Sequence, residues 1–450
     1  MANLLGTGTE RETEGPGAVL LRVFESLDHA SIPYRVIGGS GGTAFDPYEV
    51  DCVMPADVLP RPLAALLRAE RDHIGADVVA WTREGHVLLA SDGPGGATHI
   101  VDLHIRTDYS RVGRFFYAAA EILESRGWSR PDSEMACVPS TAIEFGCYLV
   151  EKVAKRCLGE PEGQRLSDVY RRDPAGCDRQ VARFWGARST SRIVAVAASG
   201  RWDDIQGDIP RLRAELRRRS ALRYPAWTAR YFLSKVRRKV WRSWTPRSGL
   251  HVVLLGPDGV GKTTMQEAVV RDLGPLFSEV QCPTVAGLLP YRPTIGRPHG
   301  QPPRSLPASV AKAGYWLLYY SLGYYLTVYP ALARSTLVVN HRHLVDALVD
   351  PKRYRYAAPS WLLHMIWRVI PKPDLIILLE APTEVVLARK QELSPEETER
   401  QQHAYRALVA PMANGHIVDA AQPADKVAAD VKRIILRYLS ERTARKLGVD

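Results

Sequence analysis

The stretch Leu254–Thr264, LLGPDGVGKTT, carries glycines, a lysine and two threonines at the spacing Gly256-x-x-x-x-Gly261-Lys262-Thr263. These residue types in this order hold a polyphosphate. The apolar run His251–Leu255 just before them predicts a buried parallel strand. Lys262–Leu273 predicts a helix, with Gly274 placed to end it in the left-handed conformation. A strand, a glycine turn and a helix N-terminus aim several backbone N–H groups at one point, and the helix dipole adds positive potential there. The expected ligand is ATP with Mg²⁺, cradled by Gly256, Asp258, Gly259, Val260, Gly261, Lys262, Thr263 and Thr264. Lys262 is expected to reach the β- and γ-phosphates, and the Thr263 hydroxyl to ligate the metal.

Further strands, Thr336–Asn340 and Asp374–Leu379, alternate with helical stretches after this loop. The alternation predicts a doubly wound α/β domain with ligands at the carboxyl ends of its strands. The segments GPDGVGKTT, VVNHRHLVD, DLIILLEAPTEVVLARK and ELSPEETERQQHAY come in the order and spacing of the thymidylate kinase family, which the chain resembles from about Leu250 onward. That resemblance implies transfer of the ATP γ-phosphoryl group to a nucleoside monophosphate or a related small phosphorylated acceptor. It also implies that Asp258 contacts the nucleoside sugar and that Arg342 grips the acceptor phosphate. Phosphoryl transfer needs mobile cations, worth about 10³–10⁵ in rate for one arginine, and Pro257–Val260 contain none. In such relatives a mobile lid supplies them, which nominates Arg389 and Arg400. Arg400 lies on a helix announced by the capping box Ser394-Pro-Glu-Glu397.

Two departures stand out. His341 occupies the position of the family aspartate before Arg342, and a neutral imidazole attracts hydrated Mg²⁺ less than a carboxylate does. Asp346 and Asp350 nearby are the acids that would compensate, or they are surface acids. The family's Arg-Glu-Pro-Gly acceptor loop is replaced by the basic, proline-rich LLPYRPTIGRPHGQPPRS. The acceptor is therefore open, dTMP or another, and a nucleotide-gated binding or scaffold protein with little turnover is the alternative. P-loop proteins with such N-terminal extensions resemble a bacterial set linked to surface-polysaccharide synthesis.

A second group of chemistry-bearing residues lies near the N-terminus. A helix over Ala18–Ala30 and a strand over Tyr34–Ile37 lead into GGSGG, with Ser40 at its centre. The segment YEVDCVM then places Glu49 and Asp51 on one face of a strand, and HIVDLHI places Asp102 on another. A Gly-Ser turn, an acid-x-acid pair and a third acid resemble the nucleotidyltransferase fold. There, three carboxylates hold two Mg²⁺ ions. Acids alternating along a strand are also ordinary solvent-facing groups, and both readings stand.

The elements that must position these groups fit the composition. With 450 residues, 46% hydrophobic and 24% charged, the chain has material for two cores. We expect a flexible stretch over 1–17, an α+β nucleotidyltransferase-like domain over 18–150, a helical connector over 151–249, and an α/β P-loop kinase domain with a doubly wound parallel sheet over 250–450. Six scattered cysteines without a C-x-x-C pair, and no signal-like N-terminus, point to a reducing cytoplasm. The net charge of +11 is concentrated: Arg211–Arg247 holds thirteen Lys/Arg and one acid, leaving 47 basic and 48 acidic residues elsewhere. Aromatic and aliphatic residues recur there at helical spacing, which suits peripheral contact with an anionic membrane, less so nucleic acid, or a solvated face. An uncharged run of 21 residues follows Lys312, with six tyrosines spread through it. It reads as a buried helix of the kinase domain rather than a membrane span. Oligomerisation is left open.

Overall fold

The computed structural model describes residues 15–37, 48–82, 84–93, 97–125, 137–241, 248–283, 302–390 and 393–449. The protein is α/β, and it divides into two compact units. One comprises Met1–Gly93, His99–Lys239 and Leu439–Asp450, the other Pro94–Thr98 and Val240–Tyr438.

The first unit contains a five-stranded sheet of β1 (Arg35–Ile37), β2 (Glu49–Val53), β3 (Asp77–Trp81), β4 (His86–Asp92) and β5 (Thr98–Arg106), in the order β1-β2-β5-β4-β3. β1 runs antiparallel and β5 parallel to β2. Helices Pro16–His29 and Arg61–Ala69 bury Val23, Leu27, Leu63 and Leu67 in one core with Val36, Cys52, Val87 and Leu103. A hairpin of β6 (Asp108–Arg111) and β7 (Arg114–Ala118) shares a second core with the helices from Thr141 to Arg223. Trp185 and Trp202 anchor that core, and each satisfies its indole N–H internally, on the Leu212 carbonyl (3.0 Å) and the Ser167 hydroxyl (2.9 Å).

Helix Pro225–Trp241 carries much of the basic segment. Its Trp227 and Tyr231 stack on each other (5.6 Å between ring centroids), and Trp227 meets Phe115 of β7. Both rings are partly buried, so the aromatic side of this helix is docked on its own unit, while Phe232, Leu233 and Val236 are exposed.

The second unit is built on β8 (Leu250–Leu255), β9 (Glu279–Gln281), β10 (Thr336–Asn340), β11 (Leu375–Glu380) and β12 (Gly415–Asp419). All neighbouring strands are parallel, in the order β12-β11-β8-β10-β9. β8 is buried along its whole length, as a parallel strand covered on both faces must be. Helix Lys262–Leu273 follows the glycine turn. Gly274 does not close that helix in the left-handed region. It stays right-handed (φ −51°, ψ −43°) and, with Pro275 at its helical φ, opens a 3₁₀ turn over Gly274–Leu276. Half of the expected capping box forms: Ser394 Oγ accepts the Glu397 N–H at 3.3 Å at the start of helix Pro395–Val409, while the Glu397 carboxylate turns to Arg400 and Gln401 instead.

The uncharged run after Lys312 is helix Leu306–Gly323, a π-turn Tyr324–Val328 and helix Tyr329–Ala333. Among the described residues no helix is long and apolar enough to cross a membrane. The run is buried on one side only: Ala313, Trp316 and Tyr320 face the core, whereas Leu318 and Leu322 are exposed.

Candidate functional site

The loop between β8 and helix Lys262–Leu273 turns on glycines whose backbone the sequence could not replace. Gly256 has φ +138°, and a Cβ there would lie 2.6 Å from the Leu379 carbonyl oxygen of β11. Gly261, at the entry to the helix, has φ +108°, and a Cβ there would meet nothing within 4 Å. The first glycine permits close packing of the sheet, the second leaves open space at the helix N-terminus.

Lys262 is buried and folds over this turn. Its Nζ donates to the carbonyls of Gly256 (2.7 Å) and Pro257 (2.8 Å) and lies 3.3 Å from Asp258 Oδ1. Burial pushes its ammonium down to about 8, against the pull of Asp258. Thr263 and Thr264 are exposed at the first turn of the helix.

Asp258 is the hub of the site. Arg342 Nη2 donates to its Oδ1 at 2.6 Å and Arg353 Nη1 to its Oδ2 at 2.5 Å. Burial alone would raise the carboxyl. Lys262, Arg342 and Arg353 outweigh that and hold it well below the usual carboxylate range. Two of these cations were legible, Lys262 in the loop and Arg342 after β10. Arg353 was not singled out, and its one sequence signal is the basic cluster Lys352-Arg353-Tyr-Arg355 behind Asp350.

The acids near His341 serve the scaffold. Asp346 accepts the Tyr405 hydroxyl (2.6 Å) and the His343 N–H (2.6 Å), capping helix Leu344–Val349, and lies 3.7 Å from Arg342. Asp350 accepts the Arg353 N–H (3.0 Å) and Gln401 Nε2 (3.1 Å). The imidazole of His341 is held low by its burial and by the nearby Arg342 and Lys262, so it is neutral at pH 7. Deeper in, His251 Nε2 lies 2.7 Å from Asn340 Oδ1, tying β8 to β10 beneath the loop.

Of the two proposed lid arginines, the structure brings one to the loop. Arg389 Nη1 donates to the Ala420 carbonyl (3.1 Å) and reaches the Val260 carbonyl at 3.5 Å. Arg400 is paired instead with Glu397 (2.6 Å) and donates to the Val349 carbonyl (3.1 Å). The proline-rich acceptor segment lies largely outside the described residues, which resume at Pro302.

In the first unit Glu49 and Asp51 do share a face of β2, and the register sets Glu49 opposite Asp102 and Asp51 opposite His104. The acids do not stand alone there. Asp51 accepts from Arg111 Nη2 (2.6 Å) and Arg106 Nε (3.1 Å), and His104 Nδ1 lies 2.9 Å from it. Burial would raise its carboxyl, but His104, Arg111 and Arg106 hold it well below the usual range. Asp102 is engaged by His86 Nδ1 at 2.9 Å, and the His86 and His104 rings stack at 3.8 Å. Arg106 shares the Asp102 and His104 face of β5, so Asp51, expected to hold Mg²⁺, meets Arg106 and Arg111 instead. Ser40 lies outside the described residues. Among the described residues no group of three metal-ligating side chains forms in either unit.

No known protein-family model matches the chain.

Proposed function

We propose that the second unit is a P-loop kinase domain of thymidylate-kinase-like type that binds Mg·ATP and passes its γ-phosphoryl group to a small phosphorylated acceptor. The observation that carries this reading is the gathering of Lys262, Arg342 and Arg353 around one carboxylate beside a glycine turn at a helix N-terminus. A parallel sheet with β8 at its centre supports it, since the loop then lies at the carboxyl ends of the strands. The residues suit the nucleotide: the turn has open space at Gly261, Lys262 is at hand, and Thr263 offers a hydroxyl for the metal. Asp258 keeps Arg342 and Arg353 together, and an acceptor phosphate would draw on the same two guanidinium groups.

The first unit is read as nucleotidyltransferase-like in descent, with Asp51 committed to ion pairs with Arg106 and Arg111. Among the described residues of the basic segment, the exposed Arg217, Arg218, Arg219, Arg223, Arg230 and Lys235 add an electrostatic contact to an anionic membrane, and the cytoplasm is the compartment we assign. The second reading, a nucleotide-gated binding protein with little turnover, is favoured by His341 in the aspartate position and by Lys262 folded onto its own loop. Labelled ATP offered with dTMP, other nucleoside monophosphates and sugar phosphates decides between them. Transfer to one acceptor class that disappears in Lys262→Ala supports the kinase. Nucleotide binding without transfer to any of them supports the gated binder.

A further inference from the structure

The second unit exposes an apolar surface that the nucleotide site does not use. On helix Leu306–Gly323 and the π-turn after it, Tyr315, Leu318, Leu322 and Tyr325 recur at spacings of three and four, and are 50%, 63%, 48% and 62% exposed. That spacing keeps them on one side of the helix. The other side, with Ala313, Trp316 and Tyr320, packs into a core shared with Leu363, Ile366 and Ile370 of helix Ser360–Val369. This second helix repeats the pattern. Trp361, Met365 and Val369, four residues apart, are 59%, 52% and 68% exposed. Two neighbouring helices thus turn apolar stripes away from their common core, more than scattered surface leucines would amount to.

The exposed charge of the segment that carries the stripes has one sign, Arg342 and Arg353 being turned onto Asp258. From Pro302 to Pro373 there are nine Lys/Arg and two acids, and both acids, Asp346 and Asp350, are buried and hydrogen-bonded. Arg304, Arg334, Lys352, Arg368 and Lys372 are exposed. We propose that this face seats the second unit on an anionic bilayer, with leucine, methionine and tryptophan side chains in the headgroup–acyl boundary and the basic groups on lipid phosphates. Tyrosine and tryptophan suit that boundary because each joins an apolar ring to a polar tip. No described helix is long and apolar enough to cross, so the seat lies on the bilayer. A second copy fits less well. Each copy would offer the other the exposed basic groups of this stretch and no exposed acid from it to answer them.

The test is flotation of the full chain with phosphatidylglycerol–phosphatidylcholine vesicles and with phosphatidylcholine alone. Binding is expected only with phosphatidylglycerol, weakening as salt is raised. Withdrawing one buried leucine or tryptophan costs on the order of tenfold in partitioning, so Leu318→Asp with Trp361→Asp should lose about a hundredfold. Leu233→Asp with Val236→Asp, in helix Pro225–Trp241, should cost less than about fivefold. Amide hydrogen exchange of the unaltered protein gives a readout that does not depend on how a variant folds: vesicles should protect 310–326 and 361–369. The proposal is overturned if the protein does not float, or if the loss follows Leu233 and Val236 instead. It is equally overturned if vesicles leave both segments unprotected, or if Leu318→Asp with Trp361→Asp merely converts a dimer to a monomer in sedimentation.

Discussion

Replacing Asp258 by asparagine keeps the shape of the side chain and removes the one charge that Lys262, Arg342 and Arg353 share. The Asp258 side chain is 12% exposed and its arginine partners 15% and 27%, so the cluster is screened only in part. Breaking a buried pair costs about 3–5 kcal/mol, and the partial exposure brings the expected loss to about 2–3 kcal/mol. For a unit of this size that is a fall in Tm of about 5–10 °C. The three cations left behind are an anion site whose remaining nearby carboxylate is Asp346, 3.7 Å from Arg342. Tripolyphosphate should therefore raise the Tm of Asp258→Asn more than that of the unaltered protein. Thermal unfolding followed by tryptophan fluorescence, with and without tripolyphosphate, reads both effects. The sign with pH follows from linkage. The folded carboxyl lies below its ordinary value of 3.8, so its contribution is complete above that value and fades as pH falls below it. The gap between the two proteins should stay constant from neutrality to about pH 4 and then close. A Tm change under about 1 °C, or a fall that tripolyphosphate does not repair, would refute the clamp as an anion-responsive element.

Three further outcomes are expected. Lys262 has its folded value lowered from 10.5 to about 8, so between these values the free protein has lost a proton that a bound polyphosphate would restore. Calorimetry at about pH 9 in buffers of different ionisation enthalpy should show proton uptake on ATP binding, and none in Lys262→Ala. Gly256→Ala should destabilise the second unit by about 2–4 kcal/mol in denaturant unfolding, because its Cβ would meet the Leu379 carbonyl at 2.6 Å on a backbone with φ +138°. His341→Asp should raise Mg²⁺-dependent transfer on the order of tenfold, whereas a drop would give the histidine a positive role.

The glycine turn was legible because its parts are contiguous: strand, loop and helix follow one another from Leu250 to Leu273, and local rules suffice for them. The central parallel strands were legible for the same reason, as short apolar runs between helices. Arg353 was not, because its meeting with Asp258 spans 95 residues and depends on the turn that Asp350 caps. In the first unit alternation gave the right face for Glu49 and Asp51. It said nothing of what the β5 register and the β6–β7 hairpin would bring opposite, and His104, Arg106 and Arg111 decide the electrostatics there. The uncharged run after Lys312 shows the limit of composition. Absence of charge marks a helix as apolar but does not say which side a neighbour covers, and helix Ser360–Val369 covers only one.

The most direct test of the central claim is equilibrium binding of Mg·ATP to the full chain and to Lys262→Ala by isothermal titration. Losing the charged hydrogen bonds of Lys262 to phosphate should weaken binding by about 2–3 kcal/mol, roughly 30- to 150-fold in Kd. Equal affinity in the two proteins, or no binding by the unaltered chain, would contradict a nucleotide site at Gly256–Thr264.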